Sequence, residues 1–178
     1  MEEILNSEEF QKIAVEITDT VNFLSKKGWT PATSSNFSAR IPGNPKLIAA
    51  SKSGIDKSLF SVEHVMVVDN NGNVYAPKNS APSAEILIHM KLYEDPMIGA
   101  VLHTHSVNGT VISNLFAKQK QITFSGFEIL KGLSGNSTHC MAEQVPILLN
   151  SQDMNALSSE IEKHKNTPPQ MHAFLIKG

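Results

Sequence analysis

The chain has 178 residues, of which 40% are hydrophobic and 18% charged, as is typical of a globular domain with a sizeable core. Its formal net charge is −2 and it has no basic block or stripe, which argues against a nucleic-acid partner. No apolar stretch is long enough to span a bilayer, and the single cysteine, Cys140, cannot form an internal disulfide, so we expect a cytoplasmic protein without a membrane partner.

The first predicted helix runs from about Ser7 to Lys27, with apolar residues on one face and Gly28 as its stop. A loop dense in small hydroxyl residues follows and leads into a strand over 36–41. Such a loop can present hydroxyls and backbone N–H groups to an anion such as phosphate. On composition alone, an ordinary polar connection is the commoner explanation.

A short strand over 47–50 leads into a second loop of similar character, Ser51–Lys57. Gly54 in this loop is free to adopt a positive φ angle. The serines and lysines of the loop again suit an anion, although Lys57 could simply be solvated. A hairpin follows, with strands over 64–69 and 74–76 joined by an Asn-Asn-Gly-Asn turn.

The next helix is predicted to open at 81–85, with Pro82 or Ser83 as its cap and Glu85 in its first turn. Glu85 could be no more than a favourable charge at a helix N-terminus. Alternatively, one helix and one turn bring the chain back, so that Glu85 can return to the neighbourhood of the histidines that follow.

Those histidines, His103 and His105, end an apolar run over 98–102 that is typical of a buried central strand. Residues two apart in a strand point to the same face, so both imidazoles can share one ion. Neutral imidazole is the commonest protein ligand for zinc and related metals. The alternative is a pair of satisfied, partly buried histidines.

After the histidines, a helix is predicted from Ser106 to Phe116, with Val107, Val111, Ile112 and Leu115 inward, followed by strands over 121–124 and 144–149. A helix capped by Ser151 or Asp153 then runs to about His164 and is ended by Thr167–Pro169, before a last strand over 172–176. Glu128 lies in a short segment bounded by turns and flanked by apolar residues. A carboxylate held among apolar groups suits general acid/base chemistry. An exposed glutamate on a single helical turn is the simpler alternative.

Several stretches together resemble the class II aldolase/adducin superfamily over nearly the whole chain. They are residues 28–38, 51–57, Pro82-Ser83-Ala84-Glu85, His103-Thr104-His105 and 127–132. The resemblance implies an α/β fold with three αβα layers, in which a central mixed, mostly antiparallel sheet has helices on both faces. It also implies a single domain over residues 1–178.

The resemblance implies roles for individual residues. His103 and His105 match two of three zinc-ligating histidines, with one Zn²⁺ per subunit. Glu128 matches the acid/base of a dehydratase branch, and Glu85 matches the acid/base of the aldolases. The residues that match the phosphate-binding part are Ser34, Ser35, Asn36, Ser53, Gly54 and Ser83.

The first and last motifs favour the dehydratase branch, which removes water from a phosphorylated methylthio-ketopentose in methionine salvage. Members of the superfamily are usually homotetramers with active sites between subunits. Two alternatives remain open: a zinc-dependent sugar-phosphate aldolase or epimerase, and a non-catalytic interaction domain like that of adducin.

Two departures from the family pattern matter. The chain has Ser34-Ser35-Asn36 where the family commonly has Ser-Gly-Asn, which removes backbone freedom near the expected phosphate. The third histidine ligand normally follows the last strand in a His-Gly motif, so we expect it just beyond Gly178 and expect this chain to be truncated. His172, at the start of that strand, is a poor substitute.

Overall fold

The computed structural model describes residues 2–133, 135–165 and 171–178. The chain divides into two compact units, Met1–Ser106 and Val107–Gly178, called the N-terminal and C-terminal units below. The predicted single domain over residues 1–178 stays a prediction. The predicted break at Thr167–Pro169 lies outside the described residues.

Over these residues the helices are α1 (Glu8–Lys26), α2 (Ile86–Leu92), α3 (Val107–Leu115) and α4 (Met154–Lys165). The strands are β1 (Asn36–Arg40), β2 (Leu47–Ser51), β3 (Val65–Asp69), β4 (Val74–Ala76), β5 (Ala100–His103), β6 (Gln121–Ser125), β7 (Ala142–Leu148) and β8 (Leu175–Ile176). None of the helices in the described ranges is long and apolar enough to cross a membrane.

Helix α1 lies where its sequence predicts. The Ser7 hydroxyl oxygen accepts a hydrogen bond from the backbone N–H of Phe10, which satisfies one of the free donors of the first turn. Gly28 follows the last turn with a φ of 72°, a conformation that glycine adopts without steric cost. The predicted apolar stripe is the buried face of the helix, formed by Phe10, Ile13, Ala14, Ile17, Val21 and Leu24.

The N-terminal unit is built on an antiparallel sheet with the strand order β4-β3-β2-β1-β5. Helix α1 packs on one face and α2 on the other, and alternate strand residues serve each side. In β2, for example, Ala49 packs in the cluster with α1, whereas Ile48 and Ala50 pack in the cluster with α2. The predicted three-layer arrangement, with helices on both faces of a sheet, is confirmed.

The C-terminal unit contains a sheet with the order β6-β7-β8, in which β6 and β7 are antiparallel and β7 and β8 parallel. Helix α4 packs against β7, and its Leu157 and Ile161 are both buried. The backbone N–H of Gly178 donates to the Ser113 hydroxyl of α3 at 3.1 Å. With the first sheet, this one gives the mixed, mostly antiparallel pairing that was predicted.

The prediction that α2 opens at 81–85, with Pro82 or Ser83 as its cap, is wrong. The helix begins at Ile86, and Glu85 occupies the N-cap position rather than the first turn. Pro82 instead forms an isolated β-bridge with Lys52, and the Ser83 hydroxyl accepts the backbone N–H of Glu85. The tertiary bridge therefore keeps this segment extended, although its sequence permits a helix start.

The predicted central position of β5 is also wrong. It is the last strand in its sheet, and Leu102 is 53% exposed. Of the four side chains of α3 predicted to face inward, Ile112 is half-buried and the others, Val107, Val111 and Leu115, are exposed. An apolar run or stripe identifies the apolar face of a strand or helix. It does not determine how many other strands or helices pack against that face.

A polar network joins β1 to α2 within the N-terminal unit. Ser38 of β1 places its hydroxyl oxygen 2.7 Å from Nδ1 of His89 and 2.9 Å from the hydroxyl of Tyr93. Two residues along, the Arg40 guanidinium donates to the carbonyl oxygen of Tyr93 at 2.6 Å. Ser38, His89 and Tyr93 are all buried, so these hydrogen bonds fix how α2 lies on the sheet.

Burial of His89 predicts a pH dependence of stability. Burial, reinforced by the nearby His103, lowers the pKa of His89 from 6.5 to about 3. The unfolded chain therefore binds more protons between about pH 3 and 6.5, and stability falls as the pH falls through that window. The loss attributable to His89 is about 2 kcal/mol between about pH 7.5 and pH 5.

The measurement is urea unfolding at about pH 7.5 and pH 5 for the wild type and for His89→Gln. We expect the variant to lose the His89 share of the pH dependence, whatever its absolute stability. His139→Gln, at an exposed histidine, is the matched control for introducing the same amide. An unchanged pH dependence in His89→Gln would contradict the assignment.

Candidate active site

The two histidines of the H-x-H motif lie together at the end of β5. The strand ends at His103, and the backbone N–H of His105 donates to the carbonyl oxygen of Trp29 at 2.8 Å. The imidazole centroids are 4.7 Å apart, with their planes tilted by 38°. The spacing therefore brings both rings together, although only His103 belongs to the strand.

Glu85 contacts His103 because α2 packs on the sheet. Its Oε2 lies 3.0 Å from Nδ1 of His103 and accepts a hydrogen bond from Nδ2 of Asn36 at 2.6 Å. Asn36 is the cross-strand partner of His103 in the β1–β5 register. Because the carboxylate is an acceptor, it favours the His103 tautomer protonated at Nδ1, which leaves Nε2 available as a ligand.

These contacts control the charges of the cluster. The hydrogen bond with His103 lowers the pKa of Glu85 to about 2, against the effect of burial and with help from Asn36. Glu85 is therefore ionised at neutral pH. Burial, followed by the effect of His103, lowers the pKa of His105, which favours the neutral imidazole that binds metals.

A cavity of about 210 Å³ opens beside this cluster. It brings together three stretches that are far apart in the chain, and its lining residues are Thr33, Ser34, Ser35, Asn36, Lys52, Ser53, Ser83, Glu85 and His105. Of the predicted phosphate-binding residues, Gly54 does not line it. Thr33 and Lys52 were not predicted individually, and their only signal was membership of the two loops considered for anion binding.

The hydroxyl groups around the cavity differ in whether their protons are available to a bound ligand. The Ser34 hydroxyl donates to the carbonyl oxygen of Pro31 at 2.6 Å, so its proton is engaged. The Ser83 hydroxyl accepts the backbone N–H of Glu85, and it donates to no residue in the described part of the chain, so its proton is available to a ligand. Ser53 makes no side-chain hydrogen bond to any residue that the structure describes, so its hydroxyl is also available.

Ser35 has a backbone conformation that favours glycine, the residue that the family commonly has at this position. Its φ is 73°, in the left-handed region that glycine adopts freely and other residues adopt with strain. Its hydroxyl donates a long 3.4 Å hydrogen bond to the carbonyl oxygen of Trp29. The loop therefore keeps a backbone conformation suited to glycine, although the chain has serine there.

Glu128 lies in the C-terminal unit, at the start of a short 3₁₀-helix over Glu128–Gly132. Its side chain is 67% exposed, forms an ion pair with Lys131 and lies 3.1 Å from Nδ1 of His139. The neighbouring Phe127 and Ile129 are themselves exposed. The predicted enclosure of this carboxylate among apolar groups is therefore wrong, and the alternative of an exposed glutamate on one helical turn is correct.

The donor chemistry of the cluster suits a divalent metal in part. His103 and His105 supply two adjacent imidazoles, and Glu85 orients one of them in the manner of the carboxylates that support metal-bound histidines. Among the described residues, no three or more His, Cys, Asp or Glu side chains are arranged to hold a metal ion. His172, in the C-terminal unit, is hydrogen-bonded to Glu143.

The sequence of the chain is similar to those of known proteins over most of its length. Residues 15–178 match the family described as Class II Aldolase and Adducin N-terminal domain. The chain is 38% identical over 170 residues to a methylthioribulose-1-phosphate dehydratase from Sorangium cellulosum (strain So ce56), covering 95% of this chain and 79% of that protein. It is 45% identical over 152 residues to the enzyme of the same name from Stenotrophomonas maltophilia (strain K279a), covering 85% and 70%.

The fold is similar to that of a solved enzyme. The crystal structure of L-fuculose-1-phosphate aldolase from Thermus thermophilus matches with a TM-score of 0.70, covering 94% of this chain and 77% of that one. The sequence identity is 20%, so this likeness concerns the fold alone.

The strained backbone at Ser35 predicts that glycine is better at this position. We expect Ser35→Gly to raise the free energy of unfolding by about 0.5–1 kcal/mol, because relief of the left-handed strain exceeds the entropy cost of glycine. Ser34→Gly is the matched control, since Ser34 lacks a positive φ, and it should lower stability by about 0.5–1 kcal/mol. Urea unfolding measures the free energy of unfolding of both variants. An equal loss of stability in the two would contradict a strained backbone at Ser35.

Proposed function

Because the chain belongs to the class II aldolase and adducin family, we propose that it dehydrates 5-methylthioribulose 1-phosphate to 2,3-diketo-5-methylthiopentyl 1-phosphate in methionine salvage. The observation that carries this proposal is the identity of 38% and 45% with two methylthioribulose-1-phosphate dehydratases over most of this chain. The aldolase, by comparison, is similar in fold at 20% identity. The proposed activity is therefore that of a hydro-lyase.

The substrate phosphate binds in the hydroxyl-lined cavity. Ser53 and Ser83 have hydroxyl protons free to donate to phosphate oxygens, and Lys52 belongs to the same lining. The cavity is small compared with typical ligand pockets of about 300–1,000 Å³, which suits a phosphate and the adjoining carbons rather than a whole large ligand. Glu85 and His105 line the same cavity, so the carbons next to the phosphate lie near the histidines.

His103 and His105 would hold one Zn²⁺ per subunit. When bound, the ion supplies Lewis-acid polarisation of the substrate's C2 carbonyl. Glu85 acts on His103, because its hydrogen bond to Nδ1 fixes the orientation of the ring and leaves Nε2 as the ligand atom. This contact makes Glu85 a positioning residue as well as a second candidate for proton transfer.

Glu128 carries the proton transfers. Its carboxylate removes the proton from C3, the C4 hydroxyl leaves with a proton as water, and the resulting C3 enol becomes a ketone as C4 gains a proton. The net change is the loss of one water molecule. What supports Glu128 is its match to the family's acid/base and its contact with His139, which provides an imidazole for proton exchange.

We also propose that the protein is a cytoplasmic homotetramer with active sites between neighbouring subunits. The support for the assembly is family membership. The support for the location is the single, exposed and unpaired cysteine, which suits a reducing compartment.

The activity is tested directly by incubating the full-length protein with 5-methylthioribulose 1-phosphate and following the diketone product. We expect dehydration, and no cleavage of fuculose or rhamnulose phosphates. Cleavage of those sugars without dehydration would favour the aldolase alternative. A full-length protein that binds no divalent metal at neutral pH and turns over none of these substrates would favour the non-catalytic alternative.

Replacement of Glu128 tests its role in the full-length protein. We expect Glu128→Gln to lower kcat by about 10²–10⁴-fold, because the amide cannot accept the C3 proton. The matched control is Glu160→Gln, since Glu160 pairs with Lys163 at the same i,i+3 spacing as Glu128 with Lys131. Steady-state kinetics measure the effect, and near-normal turnover in Glu128→Gln would show that another group transfers the proton.

A further inference from the structure

Lys57 is buried, whereas Lys52, the other lysine of the loop Ser51–Lys57, is partly exposed. The exposure of Lys57 is 0%, and its ammonium group donates to the carbonyl oxygens of Ile55 at 3.0 Å and Thr33 at 3.4 Å. The Phe60 ring covers it, with 5.9 Å between Nζ and the ring centroid. A solvated Lys57, which the sequence left open, is therefore ruled out.

The hydrogen bonds of Lys57 connect both loops of the cavity. Its backbone N–H donates to the carbonyl oxygen of Ala32 at 3.0 Å, in the first loop. Its ammonium group donates hydrogen bonds to Thr33, also in the first loop, and to Ile55, in the second loop. Because Thr33 lines the cavity, the position of that wall depends on Lys57.

Among the residues that the structure describes, the ammonium group of Lys57 has no ion-pair partner. No carboxylate among the described residues lies within ion-pair distance of its ammonium group, and the carboxylate of Asp56 accepts hydrogen bonds from Ser58 instead. Burying a cation without an ion-pair partner is costly, and burial accordingly lowers the pKa of Lys57, although the charge of the adjacent Asp56 partly opposes this effect. A dianion in the adjoining cavity would supply the missing negative charge.

We propose that Lys57 is a positioning residue that makes the cavity selective for a phosphate dianion. Its hydrogen bonds join the two loops that line the cavity, and its ammonium group places a positive charge behind Thr33. This role rests on the proposed function only in taking the bound dianion to be the substrate's phosphate group. It differs from the role of Lys52, which lines the cavity and can touch the ligand.

The experiment compares Lys57→Met with Lys57→Arg in the full-length protein. Inorganic phosphate is titrated by calorimetry, and KM and kcat are measured with the phosphorylated substrate. We expect Lys57→Met to weaken phosphate binding and to raise KM by about 10-fold or more, with kcat changed less than about 3-fold. Lys57→Arg keeps the charge and should recover part of both losses. The matched control, Lys46→Met, removes an exposed lysine outside the cavity and should change neither.

Phosphate affinity unchanged in a folded Lys57→Met variant would overturn the proposal, as would a fall in kcat with unchanged KM. Should that variant not fold, the wild type provides a second measurement: the NMR signal of the Lys57 ammonium must shift when inorganic phosphate is added, and an unmoved signal overturns the proposal. Phosphate binding that depends on Lys57 in a protein with no dehydratase activity would instead reject the proposed function and leave this role standing.

Discussion

The hydrogen bond between Glu85 and His103 is the contact on which the arrangement of the candidate site depends. It joins residues on different elements, the N-cap of α2 and the end of β5, and Asn36 of β1 donates to the same carboxylate oxygen. It forms only if α2 lies on the sheet in one position. The buried hydrogen bonds of Ser38 with His89 and Tyr93 hold the helix in that position, so a network away from the cavity supports the geometry within it.

The antiparallel pairing gathers the other parts of the site at one end of the sheet. Asn36, at the start of β1, pairs with His103 at the end of β5, and Ser38 pairs with Ala50 near the end of β2. The loop before β1 and the loop after β2 must therefore leave the sheet on the same side. The cavity forms where those loops meet, and the hydrogen bonds of Lys57 to both loops keep them together.

The two carboxylates considered for catalysis differ in how they are held. Glu85 is fixed by neighbours on two strands, β1 and β5, and is kept ionised by its hydrogen bond with His103. Glu128 lies on one exposed turn, and the side chains that it contacts, Lys131 and His139, are themselves exposed. Glu85 is therefore held in one orientation by buried and half-buried neighbours, whereas the orientation of Glu128 depends on contacts at an exposed turn.

The sequence by itself determined what depends on residues close in the chain: the cap and buried stripe of α1, the hairpin turn, and the adjacency of His103 and His105. It also carried the family resemblance, because motifs are local patterns. Only the tertiary structure decided the start of α2 at Ile86, the outer position of β5, the burial of Lys57 and the exposure of Glu128. Periodicity encodes which face of an element is apolar, but the partner that covers it is chosen by contacts between segments far apart in the chain.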